Sequence, residues 1–123
     1  MKNFDFKRIR LSKDGTSKLH KLKNKTGITP NISCRIALCM SLEEKNIPSL
    51  ELYYSEEGQE INKHTFLGDI SDELLSLFLF WCSENNVEFE EYYKYLIANI
   101  NRGIELLTNR VKNLSDFSIL CED

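Results

Sequence analysis

Histidine is nearly missing from this chain: His20 and His64 are its only two. Neither sits in an HExxH or HxH arrangement, which excludes the usual metal hydrolase. Glycine is also scarce, at five residues, and no GxxxxGK[ST] or GxGxxG pattern occurs, so no phosphate-cradling loop is present. Cys34, Cys39, Cys82 and Cys121 form no CxxC pair and have no histidine at ligand spacing. They read as reduced thiols, mostly in the core, and not as a disulfide framework. The longest apolar run, residues 74–82, is nine residues long and interrupted by Ser76, against the ~20 that a bilayer requires. With no signal peptide before the basic start, the expectation is a soluble, cytoplasmic protein. Phe4 and Phe6 are the only rings before Tyr53, which disfavours stacking on single-stranded nucleic acid. Acidic residues are absent between Gly15 and Met40.

Set against these absences is a lopsided charge. Residues 1–35 carry ten Lys and Arg against Asp5 and Asp14, a net of +8. The other 88 residues carry six basic and 17 acidic groups, a net of −11, which together give the −3 of the whole chain. Such an asymmetry points to a polyanionic partner at the N-terminal end. Seven of the ten are lysines, point charges without the bidentate fork that reads guanine.

The basic stretch is also patterned. Residues 7–12 alternate, with Ile9 and Leu11 on one face and Arg8 and Arg10 on the other, the period of a half-buried strand. A turn at residues 13–15 is expected next, then a helix over 16–26 closed by Gly27. Thr29 as N-cap and Pro30 at the first helical position open a second helix. On the first helix Lys18, Lys21 and Lys25 form one stripe, while Leu19, Leu22 and Thr26 form the core-facing stripe beside it, flanked by Lys23. The second helix has an apolar arc near ~200°, with Ile32, Ile36, Cys39 and Met40 on one side and Leu38 and Leu42 round from them. One core needs a stripe only a little over ~100° wide, so a second surface, a partner chain, is expected to cover the remainder. Arg35 on this helix suits either a phosphate contact or an interface ion pair. The order strand, helix, turn, helix is similar to that of a ribbon-helix-helix DNA-binding unit.

Beyond Pro48 the signals weaken. Residues 50–54 and 61–67 are expected to be short strands about a turn at 55–59, and Glu56, Glu57 and Glu60 read as a charged turn before a cation site. Ser71 caps a helix to about Glu84, apolar nearly all round and expected to be the central core helix. From Phe89, the spacing of Tyr93, Leu96, Ile97, Ile100, Ile104, Leu107 and Val111 predicts an amphipathic helix of about 24 residues. The expected organisation is one domain over residues 1–112 with a tail, 113–123, of unassigned structure. No internal repeat or low-complexity linker occurs.

Three segments carry a family resemblance: IRLSKDGTSKLHKLKNKTGITPNISCRIALCMSLEE at residues 9–44, EINKHTFLG at 60–68 and NINRGI at 99–104. The specific part is TGITPN at 26–31 followed by CRIAL at 34–38. Over roughly residues 5–112 the chain resembles the DndE family of the bacterial DNA phosphorothioation system, in which sulfur replaces a non-bridging phosphate oxygen of DNA. The resemblance implies a mainly α, compact helical domain with an N-terminal strand, a variant of ribbon-helix-helix, assembled as a homo-oligomer. It also implies a non-catalytic partner in a machine with a cysteine desulfurase, an iron–sulfur protein and an ATPase.

The expected function is therefore binding of double-stranded DNA, nicked duplex included, with no catalytic residue, metal or cofactor. Arg8, Arg10, Lys13, Lys18, Lys21, Lys23 and Lys25 are the expected phosphate contacts. A tetramer is expected before a dimer, and no membrane association. Two alternatives stand beside this reading. One is a ribbon-helix-helix transcriptional regulator reading bases through Arg8 and Arg10. The other is a persulfide sulfur carrier using Cys34 or Cys39; Cys34, beside Arg35 near a helix start, is the only cysteine placed like a nucleophile.

Overall fold

The structure, a computed structural model, describes residues 3–121, and side chains as far as residue 113. The elements in order are strand β1 (Arg8–Arg10), helices α1 (Lys13–Thr26), α2 (Pro30–Leu42) and α3 (Leu50–Tyr53), strand β2 (Glu60–Asn62), and helices α4 (Lys63–Leu67), α5 (Ser71–Glu84) and α6 (Tyr92–Cys121). Single 3-10 turns at Gly68–Ile70 and Phe89–Glu91 lead into α5 and α6. Among the described residues no helix is long and apolar enough to cross a membrane.

Helix α1 starts three residues earlier than its pattern suggests. Ser12 is the N-cap and its Oγ accepts from Gly15 N at 2.9 Å, so Lys13, Asp14 and Gly15 form the first turn instead of a loop. Asp14 favours the positive helix start, and Lys23 and Lys25 favour its negative end. Gly27 then closes the helix at φ 79°, in the left-handed region glycine enters freely, donating its N–H to Lys23 O at 2.7 Å. Thr29 does occupy the N-cap of α2, but its side chain makes no capping bond. Pro30 lacks an N–H and pre-sets φ, so the helix opens without one.

The two strands pair with each other, antiparallel, in the register Arg8↔Asn62, Ile9↔Ile61 and Arg10↔Glu60. The expected local hairpin over residues 50–67 is absent. Ser49 caps residues 50–53 into a helical turn, its Oγ accepting from Leu52 N at 3.3 Å. Only 60–62 are extended, and Asn62 caps α4 immediately afterwards. The partner of β2 lies about 50 residues away and buries Ile9 against Ile61.

The central helix is α6, not α5. Residues 96–104 are buried without interruption, which a one-sided stripe does not achieve, and the helix continues through the tail to Cys121. Helix α5 buries one face, Leu74, Phe78, Trp81 and Cys82, and leaves Leu77, Leu79 and Phe80 exposed. Against α6 lies the inner face of α2, which is made mostly of small residues: Ser33, Cys34, Ala37, Leu38 and Ser41. Gly103 of α6 sits so close to α2 that a Cβ there would fall on the Ala37 carbonyl. The larger Ile32 and Ile36 point outward, 42% and 38% exposed, so the wide apolar arc of α2 does divide between a core face and an open face.

Buried polar side chains hold this arrangement. Asn101 accepts from Ser12 N at 3.1 Å and donates to Tyr53 O at 2.7 Å, tying α6 to the start of α1 and the end of α3. Arg102 donates to Ser41 Oγ, Ser41 O and Asn46 O at 2.7, 2.8 and 2.6 Å. Arg35, on the same helix α2, donates to the carbonyls of Phe66 (2.5 Å) and Thr65 (3.1 Å) at the end of α4.

Candidate nucleic-acid interface

The seven candidate cations fall into separate groups. Arg8 and Arg10 project from the exposed side of β1, because the period of two that buries Ile9 sends its neighbours outward. Lys13 is exposed in the first turn of α1. Lys18 is half-buried and engaged by Asp14 across one helical turn, at 2.8 Å, in the cleft where Tyr53 and Glu105 also lie. Lys21, Lys23 and Lys25 gather at the far end of α1, up to about 18 Å from Lys13 at ~1.5 Å per residue. Every residue from 23 to 29 is exposed, so the turn joining α1 to α2 is a protruding tip. Thr26 is exposed there too, out of the core stripe expected for it, and its hydroxyl donates to Leu22 O at 2.8 Å. Among the described residues Lys13, Lys21, Lys23 and Lys25 enter no ion pair.

The arginine pair is in a different electrical state. Arg8 Nε and Arg10 Nη2 both contact the same oxygen of Glu60, Oε1, at 2.9 and 2.6 Å. Glu60 stands directly across from Arg10 in the register, and the hydrogen bond to it raises the pKa of Arg10 further. Beside this trio is an open cleft of about 460 Å³ lined by Phe6, Lys7, Arg8, Arg10, Glu56 and Tyr93. Glu56 accepts from Tyr54 at 2.7 Å and from Tyr93 at 2.8 Å. The first of these bonds pushes the Tyr54 phenol up to about 12, and burial followed by the same carboxylate raises Tyr93. The Glu60 contact was not read from the sequence, because β2 finds β1 across about 50 residues; the matching spacing of RIR and EIN is the one local signal for it.

The described thiols differ in exposure. Cys34 and Cys82 are fully buried, and burial pushes each up to about 12. Cys39 is partly exposed, raised by burial and then by Glu43. Cys121 falls outside the described side chains. Strand β1 pairs within its own chain, whereas the ribbon of a ribbon-helix-helix regulator needs it to pair with a second copy.

Two solved structures are similar to the chain over most of its length. One is DndE from Escherichia coli B7A, involved in DNA phosphorothioation modification: 29% identical, TM-score 0.71, covering 85% of this chain and 99% of that one. The other is a DndE mutant involved in DNA phosphorothioation: 28% identical, TM-score 0.68, with the same coverage. No curated protein matches. The family model described as DNA sulphur modification protein DndE matches residues 8–115. With the strand–helix–helix start, the basic tip and the α6-centred core all lying inside that span, the chain belongs to the DndE family.

Proposed function

We propose that this protein is a non-catalytic DNA-binding component of a bacterial DNA phosphorothioation complex. It grips the phosphates of duplex DNA through the lysine tip between α1 and α2. The observation that carries this reading is the grouping of Lys21, Lys23 and Lys25 on an exposed tip without an acidic partner among the described residues, in a chain of this family. Lysines so placed neutralise phosphates and release counterions from DNA, which gives affinity with little dependence on sequence. Lys13 extends the same helix toward β1, and Lys18 contributes once its pair with Asp14 opens.

The proposed assembly is a homo-oligomer, a tetramer, built on the exposed apolar residues of α2 and α5; closed symmetry is the usual way to cover such faces. It places several tips around one duplex, which suits a backbone interrupted by a nick. The cysteine desulfurase, iron–sulfur protein and ATPase of the system supply the chemistry. A persulfide on Cys34 is disfavoured, because that thiol is sealed in the core and held protonated. Competition among intact, nicked and single-stranded oligonucleotides at fixed salt tests the reading. Nicked duplex is expected to bind at least as tightly as intact duplex, and single strands more weakly. A preference for single strands, or for one base sequence, overturns it.

A further inference from the structure

Glu60 joins both arginines of β1 at the protein surface. Two guanidiniums, two residues apart on one strand, converge on a single carboxylate oxygen. A phosphodiester oxygen carries the same charge and accepts the same donors, so Glu60 stands where a backbone phosphate would stand. We propose that Arg8 and Arg10 form a second phosphate seat, and that in the free protein Glu60 occupies it. The inference rests on the DNA-binding reading above and adds a gate to it.

The neighbouring groups decide which carboxylate can yield. Glu56 also lies near Arg10, but both its oxygens are taken by tyrosine hydroxyls. The Glu60 carboxylate is 48% exposed and is held by the two arginines, with no tyrosine partner among the described residues. Its departure costs little, since exposed ion pairs are weak. The strand pair does not depend on it, because Ile9 and Ile61 stay buried and the backbone ladder is unaffected. With Glu60 swung away, Lys7, Arg8 and Arg10 face the open cleft against Glu56 alone. A duplex already held at the lysine tip delivers a phosphate to this seat at high local concentration, and a tethered carboxylate is then exchanged for it. The gate therefore weakens casual binding through β1 and leaves the seat for DNA that the rest of the surface has engaged.

The test is duplex binding across a salt series with Glu60→Gln, which keeps the size and removes the charge. The expected result is binding roughly five-fold tighter, the weight of an exposed pair, with a log–log salt slope steeper by up to about two units. Both gains should vanish when Arg8 and Arg10 are also replaced by Gln. Should Glu60→Gln fail to fold, Glu60→Asp, too short to span both guanidiniums, is expected to tighten binding in the same direction. Unchanged affinity and slope overturn the gate, as does a gain that survives loss of both arginines, which marks a general charge effect. If the unaltered protein and the variant both fail to bind duplex, the DNA-binding reading falls with it; binding by the unaltered protein without a gain in the variant removes the gate alone.

Discussion

Arg102 holds Ser41 twice, Nε donating to the hydroxyl at 2.7 Å and Nη2 to the main-chain carbonyl at 2.8 Å. The cation sits at the C-terminal end of α2, where free carbonyls favour positive charge, and also reaches Asn46 O. Burial lowers its pKa, which makes the carbonyl partners necessary. Arg102→Ala is expected to cost about 3 kcal/mol in urea unfolding, since it strips partners from buried acceptors. Arg102→Lys recovers only part, because an ammonium cannot reproduce the fork. DNA affinity of the folded fraction should not change.

Gly103 tests the α2–α6 packing from its other side. A methyl group there meets the Ala37 carbonyl with no flexible atom to give way. Gly103→Ala should destabilise the fold by about 2–3 kcal/mol, the upper range for overpacking, although alanine is the better helix former. A thermal melt that rises in the variant would refute the close approach.

These two relationships also mark what was legible in the sequence. The NINRGI motif stood out, but as a string it did not say that its polar members face the core. Ser41, Asn46 and Ala37 lie more than about 50 residues away and supply the reason. Local signals were readable: β1, the Gly27 stop, Pro30 and the lysines all rest on spacings of a few residues. The hairpin expected over residues 50–67 and the central role expected of α5 were wrong for one physical reason. Non-local pairing decided them, through Ile61 meeting Ile9 and through α6 filling the space that α5 was expected to take. Around the candidate cations, the pairing of Lys18 with Asp14 follows from a spacing of four residues, whereas the single Glu60 carboxylate shared by Arg8 and Arg10 arises only when β2 meets β1.

The thiols make a pH prediction. Cys34 and Cys82 move from an ordinary 9.0 to about 12 in the fold. The unfolded chain therefore loses these protons first, so their contribution to stability is complete below about pH 9 and is lost as pH rises toward about 12. Urea midpoints should fall across that window, less steeply in Cys34→Ala. In the native protein near neutral pH, iodoacetamide should label Cys39 well before Cys34 or Cys82. A folded Cys34→Ala protein that binds DNA but supports no sulfur incorporation would instead establish a carrier role.

The outward face of α2 and the exposed side of α5 predict assembly. Ile32, Ile36, Leu77 and Phe80 are 42%, 38%, 47% and 63% exposed, large apolar side chains that a second copy of the chain would take out of water. Light scattering at micromolar concentration is expected to give a multiple of 14.4 kDa, reduced by Ile36→Glu. A monomer mass for the unaltered protein contradicts the assembly.

The tip of α1 is the proposed seat of the DNA. The most direct measurement is fluorescence anisotropy of a labelled duplex over a salt series, comparing the unaltered protein with one in which Lys21, Lys23 and Lys25 are all Ala. These side chains are exposed and outside the core, so the fold should persist. The log–log slope is expected to flatten by about two to three units, near one for each phosphate no longer neutralised, with a matching fall in affinity at low salt. An unchanged slope and affinity in the folded triple variant would place the DNA elsewhere and contradict the account.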